Sequence, residues 1–279
     1  MKTILITGAT SGIGLEAAQQ LGAEGDRLVL VGRNPGKLAH AAQLVRAAGA
    51  GEVDTLECDF ASQTSVRQLA KAVLSGYGRI DVLANNAGGY YNERTETADG
   101  IEATFAVNHL GGYLLTELLL DLMTNSAPAR ILFTSSVMNF GATMDFDDLG
   151  FREGYSGQQA YSRSKLANIL YTRALSHRLT GTGVTVNAFH PGAVATHIWD
   201  SMPWYGRPFA AVAKRLFMIS AAEGGRTLTY LATAPEVAEI SGRYFQHNRV
   251  KTPSRRALDD AAAQRLCEIS TRLVGLPEN

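Results

Sequence analysis

Tyr161 and Lys165 stand four residues apart in the stretch AYSRSKLAN. On a helix that spacing places both side chains on one face. A free phenol has a pKa near ~10, so roughly one molecule in a thousand is ionised at neutral pH, and alone it is a poor base. A fixed ammonium nearby favours the phenolate, and a tenfold gain in the ionised form takes about 1.4 kcal/mol. The pair could therefore move a proton. It could also be an ordinary helical pair, since ten tyrosines and few lysines make such a spacing common by chance. The surrounding residues must decide.

The first of them lie at the other end of the chain. Thr7-Gly8-Ala9-Thr10-Ser11-Gly12-Ile13-Gly14 joins a β-branched run to a helical pattern. Glycine suits a tight turn, close approach to a pyrophosphate and tight helix–strand packing, because each excludes a Cβ. The helix amino end beyond it offers unpaired N–H groups and partial positive charge to phosphate. Dinucleotide binding is the expectation, against the plainer alternative of a Gly/Ser turn.

Strand-like and helix-like segments then alternate. Strands are expected over 2–7, 27–32, 52–58, 80–86, 130–136, 184–190 and, as an edge, 241–246. Helices are expected over 13–24, 35–49, 63–77, 98–122 and 157–180. Short apolar strands alternating with helices imply parallel pairing with helices on both faces. Right-handed crossovers then give an α/β, doubly wound (Rossmann) sheet of seven mostly parallel strands. No linker divides the chain, so 1–279 is expected to form a single NAD(P)-binding domain.

In this order of landmarks the sequence resembles the short-chain dehydrogenase/reductase family. The glycine turn reads T-G-x-x-x-G-x-G. Cys58-Asp59-Phe60 follows strand three, Asn85-Asn86-Ala87-Gly88 follows strand four, and Asn108 lies in VNHLG. Ser135-Ser136 ends strand five, Tyr161 and Lys165 follow, and His190-Pro191-Gly192 with Val194 and Thr196 closes strand six. The likeness spans essentially the whole chain. It is strongest to the retinol dehydrogenase-like branch, through FDDLGF (146–151), SKLANILYTRAL (164–175) and the tail over 241–275.

The resemblance implies roles. Tyr161 would exchange a proton with the substrate oxygen. Lys165 would lower the Tyr161 pKa and bind the nicotinamide ribose. Ser136, rather than Ser135, would donate to the developing alkoxide, and Asn108 would hold a water joining Lys165 to solvent. Gly8, Thr10, Ser11, Gly12, Ile13 and Gly14 would cradle the pyrophosphate. Asp59 and Phe60 would meet the adenine. Asn86, Ala87, Gly88, Pro191, Gly192, Val194 and Thr196 would complete the cofactor site. Ser136 and Tyr161 lie 25 residues apart, about a dozen more than is usual in the family; the retinol dehydrogenase-like branch has a similar insertion. The insertion carries Asp145, Asp147 and Asp148, read as a solvated loop rather than a metal site.

Strand two ends Val31-Gly32-Arg33-Asn34. A carboxylate there would accept from a ribose 2′-OH and favour NAD. Arg33 instead offers a planar fork for a 2′-phosphate, with Lys37 as a second cation, so NADP(H) is the expected cofactor. Beyond the strand ends lie Tyr90, Tyr91, Met138, Phe140, Ile198, Trp199, Met202, Trp204 and Tyr205. Such a lining suits a bulky apolar aldehyde, ketone or alcohol, and 196–220 is expected to form a lid over it.

Composition narrows the rest. Twenty-six basic residues balance 26 acidic ones, so no global positive field exists for nucleic acid. Cys58 and Cys267 fit no metal or disulfide spacing. MKTILITG enters a strand without a charged leader, and no apolar run reaches membrane-span length. A cytoplasmic protein without a transmembrane segment is expected, as a monomer or a homo-oligomer. Two other readings compete with a reductase. A non-catalytic NADP(H)-binding sensor or scaffold would need no aligned proton donor. An extended epimerase or dehydratase would show G-x-x-G-x-x-G spacing and a larger C-terminal domain.

Overall fold

A computed structural model describes residues 1–192 and 221–277 of the chain. The sheet strands are β1 (Thr3–Thr7), β2 (Arg27–Gly32), β3 (Glu52–Glu57), β4 (Val82–Asn85), β5 (Ala129–Thr134), β6 (Val184–His190), β7 (Arg243–Gln246) and β8 (Arg249–Lys251). Their spatial order is β3-β2-β1-β4-β5-β6-β7-β8. All neighbours are parallel except β7 and β8. The chain winds outward from β1 in one direction through β3, then crosses back to β4 on the other side of β1. The crevice at that reversal is where open α/β sheets bind ligands.

Alternation fixes the two faces. On β1, Leu5 packs into one apolar layer, while Ile4 and Ile6 pack into the other. Valine and leucine alternate the same way along β2. The second layer is closed by α1 (Gly12–Ala23), α2 (Pro35–Ala47) and, late in the chain, Ala221–Thr233. The first is closed by α3 (Gln63–Gly76), the segment after β4, the long helix Gly157–Arg178 and the terminal helix Asp260–Leu273.

The sheet has eight strands where seven were expected, and β7 is not its edge. His247 and Asn248 both have positive φ, 50° and 58°. Two consecutive left-handed residues make the tight hairpin turn whose twist matches its strands. That turn brings Arg249–Lys251 back antiparallel onto β7.

The helix expected over 98–122 begins later and is not uniform. Gly100 sits at φ 72° in a turn closed by Thr97 N–H to Ile101 O and Gly100 N–H to Thr97 O. Glu102, buried, then caps the helix by accepting from Thr104 N and Phe105 N at 2.7 and 2.8 Å. The run continues as α4 (Ala103–Phe105), a widened π-helical turn Ala106–Leu110, α5 (Gly111–Leu118) and α6 (Leu120–Asn125). A Cβ on Gly111 would lie 2.7 Å from Phe60 Cδ1, so glycine lets this helix approach the β3 loop. The helices α7 (Gly157–Arg178), α8 (Ala221–Thr233) and α9 (Asp260–Leu273) follow. Among the described residues no helix is long and apolar enough to cross a membrane.

His109, on the widened turn, is fully buried among Phe105, Tyr113 and Tyr171. Its ring nitrogens bond Asn168 Oδ1 and Ser270 Oγ, each at 3.1 Å. Burial pushes its pKa down to about 4, against a weaker opposing hydrogen bond to Asn168 Oδ1. The folded state therefore resists a proton that the unfolded chain takes up. Stability is full above the unfolded value, and is lost as pH falls towards the folded one. We expect unfolding free energy to drop by about 2 kcal/mol from this group between about pH 7.5 and about pH 5. Denaturant titrations of the wild type and His109→Gln at the two pH values check this; the variant should show the smaller drop.

Candidate active site

The glycine turn is built around one threonine. Thr7 Oγ1, at the end of β1, accepts from Asn86 N and Ala87 N, both at 2.9 Å, and reaches Ala84 O at 3.2 Å. Asn86 Nδ2 donates to Thr7 O at 3.0 Å, and Thr134 Oγ1 donates to Asn86 Oδ1 at 3.2 Å. Gly8 and Gly12 take positive φ, 66° and 54°. A Cβ on Gly14 would meet Asn86 Nδ2 at 2.6 Å and would overlap Gly8 O. Ser11, at the N-cap of α1, makes no capping bond with its side chain. The first N–H groups of α1 therefore face the crevice beside a backbone that carries no side-chain bulk. Those features fit a dinucleotide pyrophosphate. Thr10 packs on Gly32, where a Cβ would lie 2.7 Å from Thr10 Cγ2. Asn86 contributes differently from the expectation: its amide holds the turn together. Thr7, which builds the turn, was not foreseen.

At the adenosine side Arg33, Lys37 and Asp59 are exposed at the ends of β2 and β3. Asn34 caps α2, its Oδ1 accepting from Lys37 N at 2.9 Å, so its side chain serves the helix. Phe60 is 7% exposed and turns into the core beneath Gly111, so its ring is not at the cofactor surface. Asp59 Oδ1 accepts from Ala61 N at 3.0 Å.

The catalytic candidates converge at the ends of β4 and β5. Asn108, on the widened turn, accepts from Gly89 N at 2.7 Å through Oδ1. Its Nδ2 donates to Gly89 O at 2.9 Å and Ser164 Oγ at 3.1 Å. Its carbonyl accepts from Asn168 Nδ2 at 3.0 Å. A Cβ on Gly88 would lie 3.1 Å from Asn108 Oδ1 and 3.4 Å from Lys165 Nζ, so these two groups face one small space. Lys165 is 3% exposed and donates to Thr134 O at 3.1 Å. Burial pushes its pKa down to about 8. Its Nζ is 5.4 Å from the centre of the Tyr161 ring.

Tyr161 behaves otherwise than the bare Tyr–Lys pair suggests. Burial pushes its phenol up to about 12, with Ser136 a smaller influence in the other direction. In the protein alone desolvation dominates, and the phenol keeps its proton at neutral pH. That is the state required of a proton donor. Ser136 is buried and accepts from Met138 N at 3.2 Å while its carbonyl holds Asn139 Nδ2 at 2.7 Å. Ser135 points away and donates to Lys165 O at 2.7 Å. The two serines thus divide, one towards the phenol and one into the helix wall.

The insertion between Ser136 and Tyr161 is tied down by two residues that sequence reasoning passed over. Arg163, 4% exposed, donates to Thr143 O and Asp148 O, with its guanidinium 3.6 Å from the Phe151 ring centre. Tyr155 OH reaches Tyr91 O at 3.0 Å and Glu102 Oε1 at 3.2 Å. The carboxylates of Asp145 and Asp148 accept from the backbone amides of Asp147, Asp148 and Arg152. Among the described residues no His/Cys/Asp/Glu group could hold a metal. Tyr90 lies against Tyr161, ring centres 5.8 Å apart. Tyr91, next in sequence, packs its ring against Gly89, where a Cβ would lie 3.2 Å from Tyr91 Cε2. Pro191 and Gly192 are buried at the end of β6, Gly192 with φ 101°. Val194, Thr196, Ile198, Trp199, Met202, Trp204, Tyr205 and the whole of the expected lid at 196–220 lie outside the described residues.

Known proteins resemble this chain along most of its length. The profile of the family described as short chain dehydrogenase matches residues 2–203. Human retinol dehydrogenase 14 is 40% identical, over 99% of this chain and 87% of its own. A crystal structure from Mycobacterium paratuberculosis superposes with a TM-score of 0.81 at 31% identity, covering 99% of this chain and 94% of that one. An F189W actinorhodin polyketide ketoreductase with NADPH superposes with a TM-score of 0.69 at 28% identity, covering 88% and 94%.

The divided serines give a direct test. Ser136→Ala should lower kcat about 100-fold, the scale of losing one oxyanion donor. Ser135→Ala should leave kcat within a few-fold and instead lower stability by about 1 kcal/mol. Steady-state kinetics and denaturant melts of both variants separate the two effects.

Proposed function

The chain belongs to the short-chain dehydrogenase family, and on that premise we propose an NADP(H)-dependent oxidoreductase acting on a bulky apolar aldehyde or ketone, or on the matching alcohol. The observation that carries this reading is the Tyr161 phenol. It is kept protonated by burial, with the Lys165 ammonium 5.4 Å from its ring, at the strand ends beside a cradle fit for pyrophosphate. The dinucleotide, when bound, supplies or accepts the hydride.

The chain's own residues do the rest. Tyr161 gives its proton to the carbonyl oxygen in reduction and takes it back in oxidation. Ser136 donates a hydrogen bond to that oxygen as it gains negative charge. Lys165, fixed by Thr134 O, keeps a cation below the phenol and beside the ribose position. Asn108 and Gly89 hold the floor on which both stand. Arg33, exposed where β2 ends in Val31-Gly32-Arg33-Asn34 without a carboxylate of its own, supports NADP(H) over NAD(H).

The substrate side is apolar. Tyr90 covers one flank of Tyr161, and the Ser136 turn presents Val137 and Phe140, exposed by 37% and 55%. Large aromatic surface left open beside a proton donor suits a flat or extended lipophilic carbonyl. The names of two similar proteins, a retinol dehydrogenase and a polyketide ketoreductase, support the same class.

Absorbance at about 340 nm with a panel of aromatic and long-chain carbonyls tests the activity. Tyr161→Phe should lose at least about 100-fold in kcat. Because the phenol titrates far above neutrality, reduction should be level in pH around neutrality. Alcohol oxidation, which needs the proton gone, should quicken as pH rises. Arg33→Asp should raise the KM for NADPH at least about tenfold and spare NADH; equal effects on both would count against NADP(H).

A further inference from the structure

The turn that follows Ser136 is held from outside by a segment late in the chain. Asn139, wholly buried, donates through Nδ2 to Ser136 O at 2.7 Å and accepts through Oδ1 from Ser254 N at 2.9 Å. Arg256 Nη1 donates to Ala142 O at 3.1 Å. Two hydrogen bonds thus seat the segment after β8 on the segment after β5. At this seam lies an open cavity of about 380 Å³, lined by Phe140, Pro253, Ser254, Arg255 and Arg256.

The lining joins apolar surface to unspent positive charge. Phe140 is the exposed aromatic of the Ser136 turn, and Pro253 adds a second apolar wall. Arg255 and Arg256 are both exposed. Residues 249–256 carry four basic side chains and no acidic one, in a chain of zero net charge. The next carboxylates in sequence are already engaged: Asp259 Oδ1 accepts from Ala262 N at 3.0 Å, and Asp260 pairs with Arg173. Among the described residues neither Arg255 nor Arg256 has an ion pair. Ser254, 6% exposed, belongs to the same lining, and its hydroxyl has no hydrogen-bond partner among the described residues.

We infer that this cavity is a substrate subsite for a carboxylate carried at the far end of the lipophilic carbonyl compound. This names the substrate class within the proposed reductase function and rests on that reading. Phe140 offers the apolar body a surface to lie on, and the guanidinium groups take the charge. Arg256 gives one of its five N–H donors to Ala142 O and keeps the rest on a side chain already ordered by that bond. Arg255 has its whole fork free for a carboxylate. The turn Val137–Gly141 is a 3-10 helix. At about 2 Å of rise per residue, it sets Phe140 roughly 8 Å from Ser136, so the subsite suits a charge well removed from the reacting carbonyl.

Steady-state oxidation of the reduced dinucleotide with 4′-formylbiphenyl-4-carboxylic acid and ω-oxododecanoic acid, each beside its methyl ester, tests this. Acid and ester share the carbonyl and the apolar body and differ in charge. The wild type should show the higher kcat/KM with the acids. Arg255→Gln should narrow that preference about three- to tenfold. The change should fall on KM for the acids rather than on kcat, because a group remote from the reacting carbon binds substrate and transition state alike. Arg249→Gln, in the same basic stretch but outside the cavity lining, should keep the full preference. Turnover of neither acids nor esters overturns the carbonyl-reductase reading and this inference together. Esters used as well as the acids overturn the inference alone. So does a preference that survives Arg255→Gln, or one that Arg249→Gln loses equally, since the charge would then be felt as a general field.

Discussion

The site depends on a two-way grip between Asn108 and Gly89. One amide side chain satisfies both the N–H and the C=O of a loop residue, so the loop after β4 cannot shift without leaving a buried polar group unpaired. The widened turn Ala106–Leu110 is what presents Asn108 to Gly89. Such single π-turns recur at functional positions because they rotate one residue out of the regular helical phase. From Asn108 the bonding runs through Ser164 to Tyr161 O, and through Asn168 to Thr134 O, the acceptor of Lys165. The Tyr161 carbonyl is thereby two hydrogen bonds from that asparagine, and the Lys165 ammonium three.

Burial then sets the chemistry of the pair. It drives the phenol up to about 12 and the ammonium down to about 8, because desolvation penalises whichever form is charged. Two groups pressed towards neutrality hold a proton ready on the phenol.

Much of this was legible in the sequence. β-branched alternation located seven strands, and the glycine spacing, Asn108, Ser136 and the Tyr161–Lys165 pair pointed to one crevice, where the structure brings them together. What stayed hidden has physical reasons. β8 is three exposed residues with no apolar alternation, and its only cue is the His247–Asn248 turn. α8 carries Gly224-Gly225, poor helix formers; Gly225 is there because a Cβ would meet Ala17 N at 2.9 Å across the α1–α8 contact. Tyr90 and Tyr91 read alike in sequence, but it is the Tyr90 ring that lies against Tyr161 while the Tyr91 ring packs on Gly89. Arg163 looked like spacer between Tyr161 and Lys165, yet its carbonyl partners lie 15 and 20 residues upstream.

At the far end of the sheet, the short hairpin strand β8 takes up the outer hydrogen-bonding row of β7. What remains outward is a three-residue rim bearing Arg249 and Lys251, both exposed. A brief, cationic border is a poor template for another chain's strand. The sheet's edge on that side therefore gives another chain's strand little to pair with.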